Sequence, residues 1–205
     1  MNRLRFLLAR TLRDEAALQT LSVPQAHFLA QFAGKSVALV GNARALAQTA
    51  HGDAIDNHDI VIRINRAPIP SAQSHGARTD ILALATSLPD ADRARLNPSR
   101  LAWFSPKRKR LDFATATSPG FYLHPLPDYE ALKARLAAPP TTGAMLIELL
   151  ARSKLARLSL YGFDFFASQS LSGRRSAAQV PHDFKAEAEF VAALTLRDRR
   201  ITRIA

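Results

Sequence analysis

The 205-residue chain contains no cysteine. That excludes disulfides and thiolate metal sites, and it fits a reducing compartment. Acidic charge is also scarce: 17 Asp and Glu stand against 28 Lys and Arg, a net charge of +11. Such a balance points to an anionic partner, whether nucleic acid, an acidic membrane surface or an acidic small molecule, although solubility alone also accounts for it. No apolar run approaches the ~20 residues that span a bilayer. The amino-terminal MNRLRFLLARTLRDEAAL does not read as a good secretory signal, because its apolar patch is short and Arg10 and Arg13 interrupt it. The signatures GxGxxG, P-loop, GxSxG and HExxH do not occur.

What remains is 47% hydrophobic, enough for one core. A single domain is expected, with a helical segment over 1–34 and an α/β core over 35–205. Leu4, Leu7, Leu8 and Leu12 fall on one side of an amphipathic helix. That stripe is expected to pack on the domain; shallow docking on an anionic membrane is the alternative. Ser22 and Pro24 with Gly34 bracket another helix.

Short apolar runs then alternate with helical patterns. SVALV (36–40), DIVIRI (59–64), TDILALA (79–85), RLAWF (100–104), FYLHPL (121–126) and RLSLYGF (157–163) read as strands, with RITRI (200–204) as an edge strand. Helices are expected near 43–50, 89–96, 128–137, 142–153 and 183–195. This alternation predicts an α/β fold: a Rossmann-like, three-layer αβα arrangement around a mostly parallel central sheet. There is no internal repeat. The polar stretch 167–181 reads as a binding loop or a plain surface loop.

Open parallel sheets bind ligands beyond the carboxyl ends of their strands. After SVALV comes GNARAL, where Gly41 permits a tight turn and Asn42 faces the crevice as a helix begins. The backbone N–H groups of such a turn can hold a phosphate. In NHDIVIRINRAP, Ile60, Ile62 and Ile64 share one strand face, while Val61, Arg63 and Asn65 share the other. Arg63 and Asn65 thus sit where a site would be, although an asparagine there also satisfies loop backbone, and Arg63 either binds an anion or braces the loop that presents Asn65. PPTTGAMLIELL offers Thr141 or Thr142 as a helix cap and Gly143 for close approach. RLSLYGF delivers Gly162 and Phe163, the latter to stack on a base or to join the core. His182 precedes a helix that contains Glu187, and an imidazole there is a reasonable general base. Asp90-Ala91-Asp92 has the DxD form of a metal site but reads as an ordinary acidic helix start. The run KRKR (107–110), without interleaved aromatics, reads as a solvated face.

These features occur in a particular order. VALVGNARAL, GDAIDNHDIVIRINRAP and HGARTDILAL together resemble the long sialylmotif of glycosyltransferase family 29, the sialyltransferase family. PPTTGAMLIELLARSKLARLSLYGFDF resembles its short sialylmotif, and His182 with Glu187 matches the H-x-x-x-x-E of its very short motif. The resemblance covers about residues 36–195. It implies a variant GT-A fold and an inverting, metal-independent transfer of a sugar acid from a CMP-activated donor to a saccharide or glycolipid hydroxyl. Asn42 and Asn65 would hold the CMP ribose and phosphate. Thr141, Thr142 and Gly143 would take the phosphate or the sugar carboxylate, Gly162 and Phe163 would lie near the cytosine, and His182 would be the catalytic base, with Glu187 as its catalytic partner in the motif. No cofactor and no metal are expected, because the CMP-sugar is itself a substrate.

Departures from the family pattern are equally specific. The disulfide that joins the long and short motifs in animal members is absent, and their targeting helix and stem are not expected. A cytoplasmic, bacterial setting is expected, with peripheral contact at the inner membrane face through the basic N-terminal helix. The family's aromatic third motif is missing from 167–181. Sialic acid and Kdo both fit as donor sugars. A non-catalytic domain binding nucleotide or nucleic acid, or a degenerate family member, competes with the enzyme; no nucleic-acid partner is expected if the enzyme reading holds.

Overall fold

A computed structural model describes residues 1–164 and 181–204. The amino-terminal segment forms α1 (Arg3–Leu12), α2 (Glu15–Gln19) and α3 (Gln25–Ala30). Asn2 caps α1 by accepting from the Arg5 N–H, and Asp14 caps α2 from Ala17. Strand β1 (Ser36–Val40) follows, then a 3-10 turn at Arg44–Gln48, α4 (Gly52–Asp56) and β2 (Ile60–Ile64). The chain continues through α5 (Ala72–His75), β3 (Ile81–Leu84), α6 (Asp90–Leu96) and β4 (Arg100–Trp103). A second 3-10 turn at Arg108–Arg110 leads to α7 (Phe113–Ala116), β5 (Tyr122–Leu123), α8 (Leu126–Leu136) and α9 (Thr142–Ala151). Strand β6 (Arg157–Tyr161), α10 (Phe184–Arg197) and β7 (Ile201–Ile204) complete the order.

The seven strands pair in the order β5-β4-β3-β2-β1-β6-β7. Every pairing is parallel, so the sheet is more uniform than the mostly parallel one expected. Alternation along each strand feeds two opposite layers. Val37, Leu39, Ile62, Ile81 and Ala83 join α3, α8, α9 and α10 in one core. Leu82, Leu84, Leu101 and Trp103 point the other way, into a core shared with α1 and α2. Ala38, Val40 and Val61 extend that second face under Ile55 of α4. Burial on both faces explains why the strands read as continuous apolar runs.

Three expectations need correction. The helix expected over 43–50 is only the five-residue 3-10 turn. The α-helix begins later, at Gly52, where an added Cβ would overlap the carbonyls of Ala72 and Gln73 in α5. The leucine stripe of α1 does not pack on the domain. Phe6 and Ala9 are the buried residues of that helix, while Leu4, Leu8 and Leu12 are 77%, 58% and 69% exposed. Phe6 packs on Phe113, with ring centroids 5.4 Å apart, and one large ring fills that corner better than several leucines. Finally, the KRKR run is not one solvated face. Arg108 is buried, paired with Glu15, and donates to the carbonyls of Ser105 and His124, each at 2.7 Å.

Candidate active site

Strand order reverses between β1 and β6, because β1 starts the run to β5 on one side and β6 takes the other. That reversal opens a crevice at the carboxyl ends of the two strands. There the Gly41 N–H donates to the Tyr161 carbonyl at 2.8 Å, and the Ala43 N–H to the Gly162 carbonyl at 3.3 Å. Gly162 has a φ of 67°, a conformation glycine adopts without strain. A Cβ on Gly143 would lie 2.6 Å from Phe163 Cε1, and one on Gly41 3.1 Å from Phe163 Cε2. The half-buried Phe163 ring therefore wedges between the β1 turn and the first turn of α9. Beside it opens a cleft of ≈ 440 Å³ lined by Ala43, Leu46, Gly162, Phe163, Asp164 and Arg203.

Asn42 and Asn65 meet at the same edge. Asn42 Nδ2 donates to the Ile64 carbonyl at 3.3 Å, which lays it over the end of β2. Asn65 takes a left-handed φ of 55°, which asparagine tolerates better than most residues. Its backbone N–H donates to Ala83 at 2.8 Å, and its Oδ1 accepts from the Ala85 N–H at 2.9 Å. Asn65 thus closes the end of β3 while standing at the crevice. Ala67, two residues on, is buried at φ 40°. A left-handed alanine costs about 1–3 kcal/mol, so packing must hold this loop in shape.

Arg63 lies elsewhere. It is 1% exposed, on the strand face that carries Val61. Nε donates to the Arg78 carbonyl at 2.8 Å and to Thr79 Oγ1 at 3.2 Å, and Nη2 donates to the His75 carbonyl at 2.7 Å. The side chain runs back beneath the sheet to the loop that precedes β3, away from the crevice. Burial pulls its pKa down to about 10, so it stays charged at neutral pH. Burial and that charge together push His75 to about 4. Of the two roles open to Arg63, these contacts are those of a loop brace.

The third wall is α9. Thr141 caps it, its Oγ1 accepting from the Ala144 N–H at 3.1 Å. Thr142 follows, buried in the first turn. The start of α10 grips this cap from outside. The Thr141 N–H donates to Glu187 Oε1 at 2.6 Å, and the Thr141 hydroxyl to Oε2 at 2.7 Å. Two residues upstream, His182 Nδ1 lies 2.7 Å from the Pro139 carbonyl. A carbonyl only accepts, so in the neutral imidazole Nδ1 carries the proton and Nε2 keeps its lone pair. That is the tautomer a general base requires.

Glu187, expected with His182 in the catalytic pair, has its carboxylate turned to the α9 cap. It is 3% exposed, and Thr141 engages both of its oxygens. Burial pushes its pKa up to about 7, against the two Thr141 bonds that favour the charged form. Glu187 positions the α9 cap. The loop expected over 167–181 lies, except for Pro181, outside the described residues.

Sequence reasoning missed a lock at the opposite, amino ends of the strands. Asp56 accepts from the N–H groups of Ala77 and Arg78 at 2.7 and 3.0 Å. The Arg78 guanidinium donates to the carbonyls of Asp56, His58 and Asp59 and pairs with Asp80. His58 bridges the Ala54 carbonyl and Ser159 of β6 at 2.7 and 2.9 Å. Charged residues just before two buried strands were the available signal. Asp90 and Asp92 open α6, with Asp92 3.5 Å from Arg95. Among the described residues no group of three His, Asp or Glu side chains could hold a metal ion.

The family model for glycosyltransferase family 29 (sialyltransferase) matches residues 11–115. No curated protein matches the sequence significantly. Among solved structures, a mammalian sialyltransferase in complex with Gal-beta-1-3GalNAc-ortho-nitrophenol is similar, with a TM-score of 0.62 and 18% identity over 83% of this chain and 69% of that one. The sialyltransferase CstII from Campylobacter jejuni, in complex with cytidine-5'-monophosphate, has a TM-score of 0.57 and 12% identity over 84% of this chain and 81% of its own. The family match spans β1 to β4, and the wider likeness in fold extends across most of the sheet. The chain belongs to glycosyltransferase family 29, the sialyltransferase family.

Proposed function

We propose that the protein moves a sialic acid, or the related sugar acid Kdo, from its CMP conjugate to a saccharide hydroxyl, with inversion and without a divalent metal. One observation carries the reading: His182 is held in the base tautomer beside the capped first turn of α9. The acceptor oxygen attacks the anomeric carbon, the bond from that carbon to the CMP phosphate breaks, and His182 Nε2 takes the acceptor proton. Beyond the Ala144 N–H that Thr141 caps, the N–H groups of Thr142 and Gly143 have no partner within the helix and would meet a doubly anionic donor with the positive end of the helix dipole. Dipoles fixed in this way stabilise a leaving phosphate without a cation. Asn42, Asn65 and the Phe163 wedge take the nucleotide. The CMP named in the CstII structure supports this class of donor, and the disaccharide in the mammalian one supports a saccharide acceptor. A chain without cysteine suits the cytoplasm.

The test is CMP release from CMP-sialic acid and CMP-Kdo, with and without saccharide acceptors, in EDTA. Turnover is expected in EDTA. His182→Ala should lose about 10²–10⁴-fold in kcat while still binding CMP, whereas Asn42→Ala and Asn65→Ala should weaken CMP binding. Full activity in His182→Ala would remove the mechanism. CMP binding without any turnover would make the chain a non-catalytic nucleotide binder.

A further inference from the structure

Six large hydrophobic residues are exposed among those described, and five of them belong to the first twelve positions: Met1, Leu4, Leu7, Leu8 and Leu12. Scattered exposed leucines are ordinary; a contiguous patch is not. Leu4, Leu8 and Leu12 stand four apart, so they stack along one stripe of α1, with Leu7 beside it. The helix cannot roll to hide them. Its opposite face is fixed by the buried Phe6 and Ala9, and by Arg10 Nη1 donating to the Leu111 carbonyl at 2.9 Å.

Cations surround this stripe. Arg3 and Arg5 flank Leu4 at about 100° to either side, and α1 contains no acidic residue. At the helix's carboxyl end a second cleft, of ≈ 520 Å³, is lined by Arg13, Lys107, Lys109 and Arg110. None of these six cations has an ion-pair partner among the described residues. The cleft's acidic groups are engaged, Glu15 by Arg108 and Glu130 by Lys133.

We propose that α1 and the Arg13–Lys107–Lys109–Arg110 cleft form a peripheral docking surface for an anionic phospholipid bilayer. Leucines on the outward face enter the acyl boundary, and the cations meet the headgroups. No described helix is long and apolar enough to cross a membrane, so α1 lies on the surface. A second copy of the chain fits poorly, because self-docking would set the same cations against each other. Nucleic acid would use the cations and leave the leucines in water. The docking also has a direction. The turn 108–110 follows β4 and Leu126 follows β5, so the cleft lies at the carboxyl edge of the sheet, as do the turns at Asn42, Asn65 and Phe163. Resting on the transferase reading above, this turns the site's edge toward a lipid-linked saccharide.

Sedimentation of the full chain with vesicles tests this without donor or acceptor, so it stands or falls separately from the transferase reading. Binding is expected to phosphatidylcholine vesicles that contain phosphatidylglycerol, and it should weaken as salt rises. Leu8→Glu with Leu12→Glu should reduce binding about tenfold or more, and Lys107→Ala with Lys109→Ala and Arg110→Ala severalfold. These positions are exposed, so melting temperature and release of CMP in the presence of a soluble acceptor should be unchanged. Failure of the wild type to bind, or binding indifferent to the leucine changes, would overturn the proposal. So would a dimer in solution that Leu8→Glu with Leu12→Glu splits.

Discussion

His182 and Glu187 hold one turn between them, through different atoms and for different ends. His182 spends Nδ1 on Pro139 and keeps Nε2 for chemistry, whereas Glu187 spends both oxygens on Thr141. Its buried carboxyl makes stability depend on pH. Below its ordinary value of 4.5, the folded and unfolded chains both hold the proton, and this contribution is fully present. As pH rises toward about 7, the unfolded chain releases the proton while the folded one retains it, so the contribution fades and is gone above about 7. That interval corresponds to ~3 kcal/mol. The melting temperature of the wild type should therefore fall relative to Glu187→Gln between these two pH values; a constant difference would show a carboxyl that titrates normally. Glu187→Ala instead strands the Thr141 N–H, which costs about 1–3 kcal/mol, and should raise KM more than it lowers kcat.

Among the elements, the α9 turn carries the sharpest packing test. Gly→Ala inside an exposed helix usually stabilises by about 1 kcal/mol. At Gly143 the sign should invert, because the new Cβ would meet Phe163 at 2.6 Å. We expect Gly143→Ala to lose about 1–3 kcal/mol and to weaken CMP binding measured by calorimetry, and a second change, Phe163→Leu, to restore stability but not binding. The strands were readable because both faces of a parallel sheet are apolar, and the crevice glycines and asparagines because they stand where strands end. Helices α4, α5 and α7 were not readable, since four or five residues complete too little of a turn pattern to show a period. The outward roll of α1 was hidden too, because its sequence offers apolar residues on two faces. Arg63 and Glu187 were located, but the direction of their side chains was not readable. Their chains are long enough to reach backward or inward, and spacing along the sequence does not say which.

Across the chain, function and scaffold occupy opposite ends of one sheet. The Asp56–Arg78 lock and the Arg63 brace lie toward the amino ends, and the carboxyl ends at the β1–β6 crevice are left to glycines, asparagines and helix caps. The strand order has a further consequence, in the timing of synthesis. Strands β1 to β5 lie side by side in the order they are made, but β6 returns to the open edge of β1 more than a hundred residues after it. A nascent chain that has not yet reached Arg157 presents β1 as an unpaired edge. It carries the family-matched residues 11–115 yet lacks half the crevice. Such a truncated chain should aggregate and fail to retain CMP in equilibrium dialysis, whereas addition of the rest of the chain during synthesis should confer both solubility and binding. With that outcome, nucleotide binding would report that translation has passed β6.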